Sequence, residues 1–238
     1  INIVMVMKPI ERIYCAIDNP DLKEAIKLAR ELKGSVGGIK LGKEFFTANG
    51  PIGVSKILEL EHRVFLDLKF HDIPNTVAGA IKAAKGLKCH MLTIHASGGI
   101  EMIKSAVKAR GENKTPLILA VTVLTSLASN DLERLGQNSH IEGQVLKLGK
   151  LAYESGADGL VASPKEVVTL RSTLGPDCML VVPGIRPTWS STDDQKRIMT
   201  PQNAIRAGAD ILVIGRPITR ANDPKAAAKR ISEEIAVS

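Results

Sequence analysis

The 238-residue chain has few aromatic residues, which make up 3% of it, and only one tryptophan. Proteins that hold single-stranded nucleic acid rely on aromatic side chains on which bases stack. The Lys and Arg residues also form no long block. We therefore expect no nucleic-acid partner, although the net charge of +7 favours a small anionic ligand such as a phosphate.

Cysteines and long apolar runs are also scarce. Cys15, Cys89 and Cys178 are far apart and form no C-x-x-C pair, which argues against a disulfide framework or a thiolate metal site. The apolar run at residues 1–7 is too short to cross a bilayer, and no secretory cleavage site follows it. We expect a soluble, cytoplasmic protein without a membrane partner. Phosphate-loop and dinucleotide fingerprints are absent as well.

What the chain does contain is a repeated strand-helix pattern. Short apolar runs rich in β-branched residues alternate with stretches of helical spacing that close with Gly or a polar turn. The predicted strands span residues 13–17, 38–41, 64–69, 90–95, 117–124, 159–162, 179–182 and 211–214. An internal echo supports the repeat, because Gly156-Ala-Asp158 and Gly208-Ala-Asp210 each precede such a run, where a helix needs a left-handed residue before the next strand.

Eight such units and a length close to that of one parallel barrel predict a fold. We expect a single-domain TIM (β/α)₈ barrel over residues 12–238, with residues 1–11 as an N-terminal leader. Thr200 and Pro201 indicate the cap and first turn of a long helix before the eighth strand. An open doubly wound sheet is the alternative, but it usually carries fewer strand-helix units.

The end of the third predicted strand carries the most informative charges, in the order Asp67-Leu-Lys69-Phe-His-Asp72. Residues two apart on a strand share a face, so Asp67 and Lys69 are expected to point together into the barrel. Active sites of this fold lie at the carboxyl ends of the strands, where Asp18 and Lys40 also fall. A structural ion pair is the alternative, but inward charge in so apolar a strand is costly unless it is paired or used.

The seventh and eighth predicted strands end in Pro183-Gly-Ile-Arg186-Pro187 and Gly215-Arg216-Pro217. Barrels often bind phosphate in these two loops. A glycine lets the backbone approach closely, and an arginine fork can hold two phosphate oxygens. The pair of loops predicts a phosphate-bearing ligand.

These segments resemble one known family. Asp67-Leu-Lys-Phe-His-Asp-Ile-Pro-Asn-Thr76, with Thr122-Val-Leu-Thr125-Ser126 and the two phosphate-loop segments, is similar to bacterial orotidine 5′-phosphate decarboxylase, and the similarity extends from Arg12 onward. The resemblance implies conversion of orotidine 5′-phosphate (OMP) to UMP and CO₂ in pyrimidine biosynthesis, without a metal or other cofactor. It also implies a homodimer with shared active sites.

The resemblance further implies a role for each matching residue. Lys69 would donate a proton to C6 of the pyrimidine, within a network that also includes Lys40, Asp67 and Asp72. Asp72 and Thr76 would reach the site of the neighbouring subunit. The remaining contacts would be Asp18 and Lys40 with the ribose, Thr125 and Pro183 with the ring, and Arg186, Gln195, Gly215 and Arg216 with the phosphate.

Two other functions remain open on the residues alone. A magnesium-dependent decarboxylase or aldolase of keto-sugar phosphates can carry the same D-x-K-x-x-D pattern, but such enzymes tend to have an acidic metal ligand where this chain has Lys40. A non-catalytic phosphate-binding barrel is the second alternative, and binding alone would not need a lysine between two carboxylates.

Overall fold

The computed structural model describes residues 7–137, 139–190 and 199–237. Its strands are β1 (Ile13–Ile17), β2 (Gly38–Leu41), β3 (Val64–Phe70), β4 (Met91–His95), β5 (Leu117–Val121), β6 (Gly159–Val161), β7 (Met179–Val182) and β8 (Ile211–Ile214). Each strand pairs in parallel with the next, and β8 pairs with β1, so the sheet closes into a barrel. The predicted TIM-barrel fold is confirmed.

Helices follow the strands and cover the outside of the barrel, as parallel strands require a crossover connection. They are α1 (Leu22–Glu31), α2 (Lys43–Leu58), α3 (Pro74–Lys85), α4 (Gly99–Arg110), α5 (Ser129–Arg134), α6 (Ile141–Glu154), α7 (Val167–Leu174), α8 (Pro201–Ala207), α9 (Arg216–Thr219) and α10 (Pro224–Ala236). A short 3₁₀ turn, Pro9–Arg12, precedes β1. No helix among the described residues is long and apolar enough to cross a membrane.

The core has two layers because strand side chains alternate between the barrel interior and the helices. Tyr14, Phe65, Met91, Leu119 and Val181 belong to the cluster that fills the interior. Their strand neighbours, such as Leu66 and Leu92, belong to the larger cluster beneath the helices. The interior is therefore packed, and a ligand has to bind at the rim.

The predicted strand limits agree with β1, β2, β7 and β8 and differ by one or more residues in the others. The largest difference is in β5, which ends at Val121 although the apolar run continues to Leu124. The neighbouring strand β6 ends at Val161, whose carbonyl still accepts from Thr122, and Val123 and Leu124 extend beyond the paired residues. Val123 and Leu124 instead line a cleft that is described below.

Two helix ends show why the sequence echo occurs. Gly156 and Gly208 adopt φ angles of 98° and 109°, the left-handed conformation expected from the repeat. Thr200 caps α8 by accepting a hydrogen bond from the backbone N–H of Asn203, with Pro201 in the first turn, as predicted. The helix has only 7 residues, so the expectation of a long helix was wrong.

Asp158 and Asp210, the aspartates of the two Gly-Ala-Asp repeats, bind backbone groups at the amino ends of neighbouring strands. The carboxylate of Asp158 accepts the backbone N–H of Ile118 at 2.8 Å and pairs with Arg110 at the end of α4. Asp210 repeats the arrangement, accepting the N–H of Leu180 at 2.7 Å and pairing with Arg171 at 2.6 Å. The echo therefore preserves a structural contact at the end of the barrel opposite the predicted site.

Candidate active site

The carboxyl ends of β2, β3 and β4 carry the polar centre of the site. Phe65 and Met91 face the barrel interior. Asp67 and Thr93 lie two residues further along the same strands, so alternation turns them to the same side, above the packed interior. Lys40 extends from β2 and is only 8% exposed. Burial of these groups at the rim means that each has to find its partner locally.

Asp67 is the centre of this cluster. The Nζ of Lys69 lies 2.8 Å from Oδ1 and 2.7 Å from Oδ2 of Asp67. The Thr93 hydroxyl donates to Oδ1 at 2.9 Å, and the Nζ of Lys40 lies 3.8 Å from Oδ2. Two ammonium groups and one hydroxyl therefore fix the carboxylate.

The charge state of Asp67 follows from these contacts. Burial raises the pKa of the carboxyl, but attraction to Lys40 and Lys69, together with hydrogen bonds from Lys69 and Thr93, outweighs burial and holds the pKa below its ordinary value. Asp67 is therefore ionised at neutral pH, between two lysines.

The structure brings Lys69 onto Asp67, but not through the regular alternation from which the contact was predicted. The pairing of β3 with β4 changes register between Leu66 and Phe70, and Lys69 has a φ angle of 54°. Its backbone N–H donates to the hydroxyl of Thr93 at 2.9 Å. A lysine in the left-handed region is strained, and such strain is often kept where a side chain has to be aimed.

Thr93 is a residue that the sequence reasoning missed. It is fully buried, and its hydroxyl supports both the carboxylate of Asp67 and the backbone of Lys69. A signal was available, because Thr93 is the one hydroxyl in the run Met91-Leu-Thr-Ile-His95 and has the same inward parity as Met91.

Lys40 also joins Asp18 to the cluster, as expected from the ends of β1 and β2. Its Nζ lies 3.2 Å from Oδ1 of Asp18, whose side chain is 52% exposed. Gly42 makes this contact possible, since a Cβ at that position would lie 2.7 Å from the same oxygen. Asp18 therefore presents a solvent-accessible carboxylate held by a buried lysine.

Two histidine rings border the cluster. The ring centroids of His71 and His95 are 5.3 Å apart. Burial, followed by the positive charges of His71, Lys43 and Lys69, lowers the pKa of His95 to about 4. His95 is therefore neutral near pH 7 and adds no further positive charge beside Lys69.

Two adjoining clefts open above the cluster. The larger, of about 610 Å³, includes Asp18, Lys40, Pro183, Arg186, Gly215 and Arg216 in its lining. The smaller, of about 240 Å³, includes Lys40, Asp67, Lys69, Thr125 and Pro183, together with apolar residues of β5, β6 and β8. Lys40 and Pro183 line both, so a single ligand can extend from an arginine-rich end to the Asp67–Lys69 pair.

The larger cleft contains one cation that was not predicted. Arg220 lines it together with Arg186 and Arg216. It follows Arg216 by four residues, one turn along, and this spacing was a usable signal. Three arginines in the lining of one cleft favour an anionic ligand group there.

Two predicted site residues, Asp72 and Thr76, line neither cleft. Asp72 and Thr76 are exposed, and the Asp72 carboxylate accepts a hydrogen bond from the backbone N–H of Ile73 at 2.7 Å. Gln195 lies outside the described residues. Among the residues that are described, no three His, Cys, Asp or Glu side chains are grouped so as to hold a metal ion.

Comparison with known proteins identifies the family. Residues 11–231 match the family described as orotidine 5′-phosphate decarboxylase / HUMPS. The chain belongs to this family. The orotidine 5′-phosphate decarboxylase of Paramagnetospirillum magneticum is 51% identical over 232 residues, which cover 95% of this chain and 99% of that protein.

Other members of the family support the same assignment. The protein of the same name from Idiomarina loihiensis is 49% identical, with 94% of this chain and 97% of that protein covered. The crystal structure of orotidine 5′-phosphate decarboxylase from Lactobacillus acidophilus superimposes with a TM-score of 0.82 at 39% identity, over 94% of this chain and 98% of that one. The family match, residues 11–231, spans all eight strands and the residues that line both clefts.

Proposed function

We propose that this chain decarboxylates orotidine 5′-phosphate to UMP and CO₂ in de novo pyrimidine biosynthesis. The observation that carries the proposal is the Lys69 ammonium, held 2.7 Å from Asp67, whose side chain is 13% exposed, in a cleft that adjoins the arginine-lined one. Relatives about half identical over nearly the whole chain carry this enzyme's name.

The two clefts suit the two halves of the substrate. We assign the phosphate to Arg186, Gly215 and Arg216, with Gln195 as a further ligand, because anionic oxygens suit this cationic end of the cleft. Asp18 and Lys40 lie between the two ends and suit the ribose hydroxyls.

The smaller, mainly apolar cleft suits the pyrimidine ring. Its lining includes Thr125 and Pro183. In this orientation the C6 carboxylate faces Asp67 and Lys69.

The reaction needs electrostatic help at C6. When the bond from C6 to the carboxylate breaks, its electron pair stays on C6, and CO₂ leaves. An ammonium about 4 Å from that charge contributes about 4 kcal/mol at an effective dielectric near 20. Lys69 then transfers a proton to C6, which gives UMP and leaves a neutral amine that regains its proton from solvent.

Asp67 has two parts in this scheme. Its carboxylate holds the Lys69 ammonium, with Lys40 on its other side. It would also lie against the carboxylate of the substrate, and repulsion between the two like charges would be relieved as CO₂ forms. The alternating charges of Lys40, Asp67, Lys69 and Asp72 thus form the proposed catalytic network, which uses no metal ion or other cofactor.

The exposed position of Asp72 and Thr76 supports a shared site. Among the described residues, Asp72 has no cation partner, and beside it Ile73 is 66% exposed. We propose a two-fold homodimer in which Asp72 and Thr76 reach the active site of the partner, where Asp72 completes the charge network next to Lys69.

We also propose a location and a domain extent. Cys15, Cys89 and Cys178 are free and buried, which suits the reducing cytoplasm. Residues 12–238 would form the catalytic domain, preceded by a leader of residues 1–11.

The deciding experiment is a direct assay. Purified protein treated with EDTA should consume OMP, followed as the loss of its absorbance, and should release UMP. Activity that appeared only with added magnesium would favour a keto-sugar phosphate enzyme instead. Binding of UMP without any turnover of OMP would favour a non-catalytic barrel.

The shared site has its own test, which is to mix Lys69→Ala subunits with Asp72→Ala subunits under conditions that allow exchange. Each mixed dimer would contain one site that lacks both side chains and one intact site. Random pairing should restore roughly a quarter of the wild-type activity. If exchange is verified by a tag pull-down and the mixture stays inactive, Asp72 does not serve the partner's Lys69.

A further inference from the structure

Trp189, the single tryptophan of the chain, lies three residues after Arg186 in the segment that follows β7. Its ring packs against the main hydrophobic cluster. The guanidinium carbon of Arg230, on α10, lies 4.7 Å from the ring centroid. The indole N–H is buried and has no hydrogen-bond partner among the described residues, so packing and Arg230 hold the ring.

The segment between Arg186 and Trp189 is also fixed at its other end. Ile185 forms a parallel bridge with Met199, and the backbone N–H of Arg186 donates to the carbonyl of Met199 at 3.0 Å. The backbone N–H of Ser190 donates to the carbonyl of Pro187 at 3.0 Å and closes a turn around Trp189. Arg186 therefore stands between two anchors, Met199 and the Trp189–Arg230 stack.

The side chain of Arg230 is exposed, but the helix that carries it is held in place. Its helix neighbour Ile231 is fully buried, as is Ala228, so α10 is packed against the rest of the barrel. The charge of Arg230 also acts on Glu234, one turn along, whose pKa is raised by burial and lowered in part by this arginine. A guanidinium stacked on an aromatic face is attracted to the ring's quadrupole, most strongly for Trp.

We propose that Trp189 and Arg230 are positioning residues that set the place of the Arg186 guanidinium in the larger cleft. They tie the phosphate end of that cleft to the last helix of the barrel. The proposal rests on the proposed function in one respect, which is that Arg186 contacts the phosphate of the substrate.

Fluorescence of the single tryptophan gives the first test. Binding of UMP should change the emission of Trp189, because the phosphate engages the segment that holds it, and uridine at equal occupancy should not. Equal changes with UMP and uridine, or no change with either, would overturn the coupling of Trp189 to the phosphate. This measurement does not require turnover, so it remains valid if the proposed reaction fails.

Kinetics of variants on α10 give the second test. Arg230→Met removes the cation and keeps the length, and it should raise the KM for OMP by roughly 2- to 5-fold, as expected for an exposed cation–π pair, while changing kcat less. Turnover of orotidine, which lacks the phosphate, should stay at the wild-type level. Arg230→Lys, which keeps a charge over the ring, should restore part of the loss.

Lys229→Met is the matched control, since Lys229 is an exposed neighbour paired only loosely with Glu233 at 3.8 Å. It should leave the KM unchanged. An Arg230→Met enzyme with a normal KM, or one impaired equally with OMP and orotidine, would overturn the inference and leave the proposed function intact. An inactive wild type would overturn the proposed function instead. If Arg230→Met does not fold, Arg230→Lys and the fluorescence comparison decide the matter.

Discussion

Both ends of the barrel contain aspartates paired with cations, but the two ends use different cations. At the amino end, Asp158 pairs with Arg110 and Asp210 with Arg171, and each carboxylate also holds a backbone N–H of a strand. At the carboxyl end, Asp67 pairs with lysines. Arginine keeps its proton under all ordinary conditions, whereas a lysine ammonium can give one up. The arginines at the amino end thus suit a permanent structural ion pair, and the lysines at the carboxyl end suit proton donation.

The backbone conformation near these aspartates also differs between the two ends of the barrel. The turns before Asp158 and Asp210 use Gly156 and Gly208 for their positive φ angles, at little steric cost. At the other end Lys69 has a positive φ angle without being a glycine. Glu61, Lys88 and Lys114 also have positive φ angles, in the turns before β3, β4 and β5. Lys69 differs from them because, among the described residues, it is the one non-glycine residue with such an angle inside a strand, beside the proposed chemistry.

The largest expected effect is the loss of turnover when the Lys69 side chain is removed from the carboxyl end of the barrel. Lys69→Ala should lower kcat by roughly 10⁴-fold or more, since both the proton donor and the charge beside C6 are lost. UMP should still bind, and the urea midpoint should change little, because Lys40 and Thr93 still hold Asp67. Lys69→Arg keeps the charge but cannot donate readily, so it should also be slow. Near-normal turnover by either variant would exclude Lys69 as the donor.

The corresponding variant at the amino end of the barrel removes the cation of an ion pair that we assign a structural role. Arg110→Met leaves Asp158, whose side chain is only 16% exposed, without its cation. The free energy of unfolding should fall by about 3 kcal/mol, measured by urea denaturation, with kcat unchanged at temperatures where the protein stays folded. Lys150→Met, which removes an exposed pair with Glu154, should cost less than about 0.5 kcal/mol. If the two variants lowered the free energy of unfolding equally, the structural role of the Arg110–Asp158 pair would be contradicted.

A smaller effect should follow from removing the Thr93 hydroxyl. Thr93→Val keeps the shape of the side chain but leaves Asp67 and the Lys69 backbone without this partner. We expect kcat to fall roughly 10- to 100-fold, and Thr93→Ser to recover most of it. The pKa of Asp67 should rise, because the hydroxyl helps to lower it, so the acid limb of the kcat profile should move to higher pH. An unchanged pH profile would assign Thr93 a packing role only.

The fold could be predicted from sequence because it depends on repeated features. Each strand has the same alternation, and the Gly-Ala-Asp echo marks equivalent turns, so many residues report the same architecture. The charged residues could be placed as well, since Asp67 and Lys40 interrupt apolar strands. A charged residue inside an apolar strand can be recognised from one sequence alone.

Other parts of the site depend on contacts between distant positions and could not be predicted in this way. Thr93 can be recognised as an inward hydroxyl from its strand, but its contact with the Lys69 backbone accompanies a register shift of β3 against β4 that neither strand alone indicates. Gly42 is required by the Asp18 side chain, which reaches it from another strand. The stacking of Arg230 on Trp189 joins residues about 40 positions apart.

The smallest expected effect is the pH dependence of stability, which involves His90 at the amino end of the barrel. The Tyr14 hydroxyl and Nδ1 of His90 form a hydrogen bond of 2.8 Å, and burial raises the pKa of Tyr14 to about 12, which keeps the hydroxyl protonated. Burial and the nearby Arg63 charge lower the pKa of His90, and burial also lowers those of His62 and His95. As the pH falls below about 6.5, these histidines gain protons in the unfolded chain before the folded one. Stability should therefore fall from about pH 7.5 to about pH 5, seen as a lower urea midpoint. His90→Gln, whose amide oxygen can still accept from Tyr14, should show a smaller loss over the same interval. If the wild type is equally stable at both pH values, the folded protein does not keep these histidines neutral.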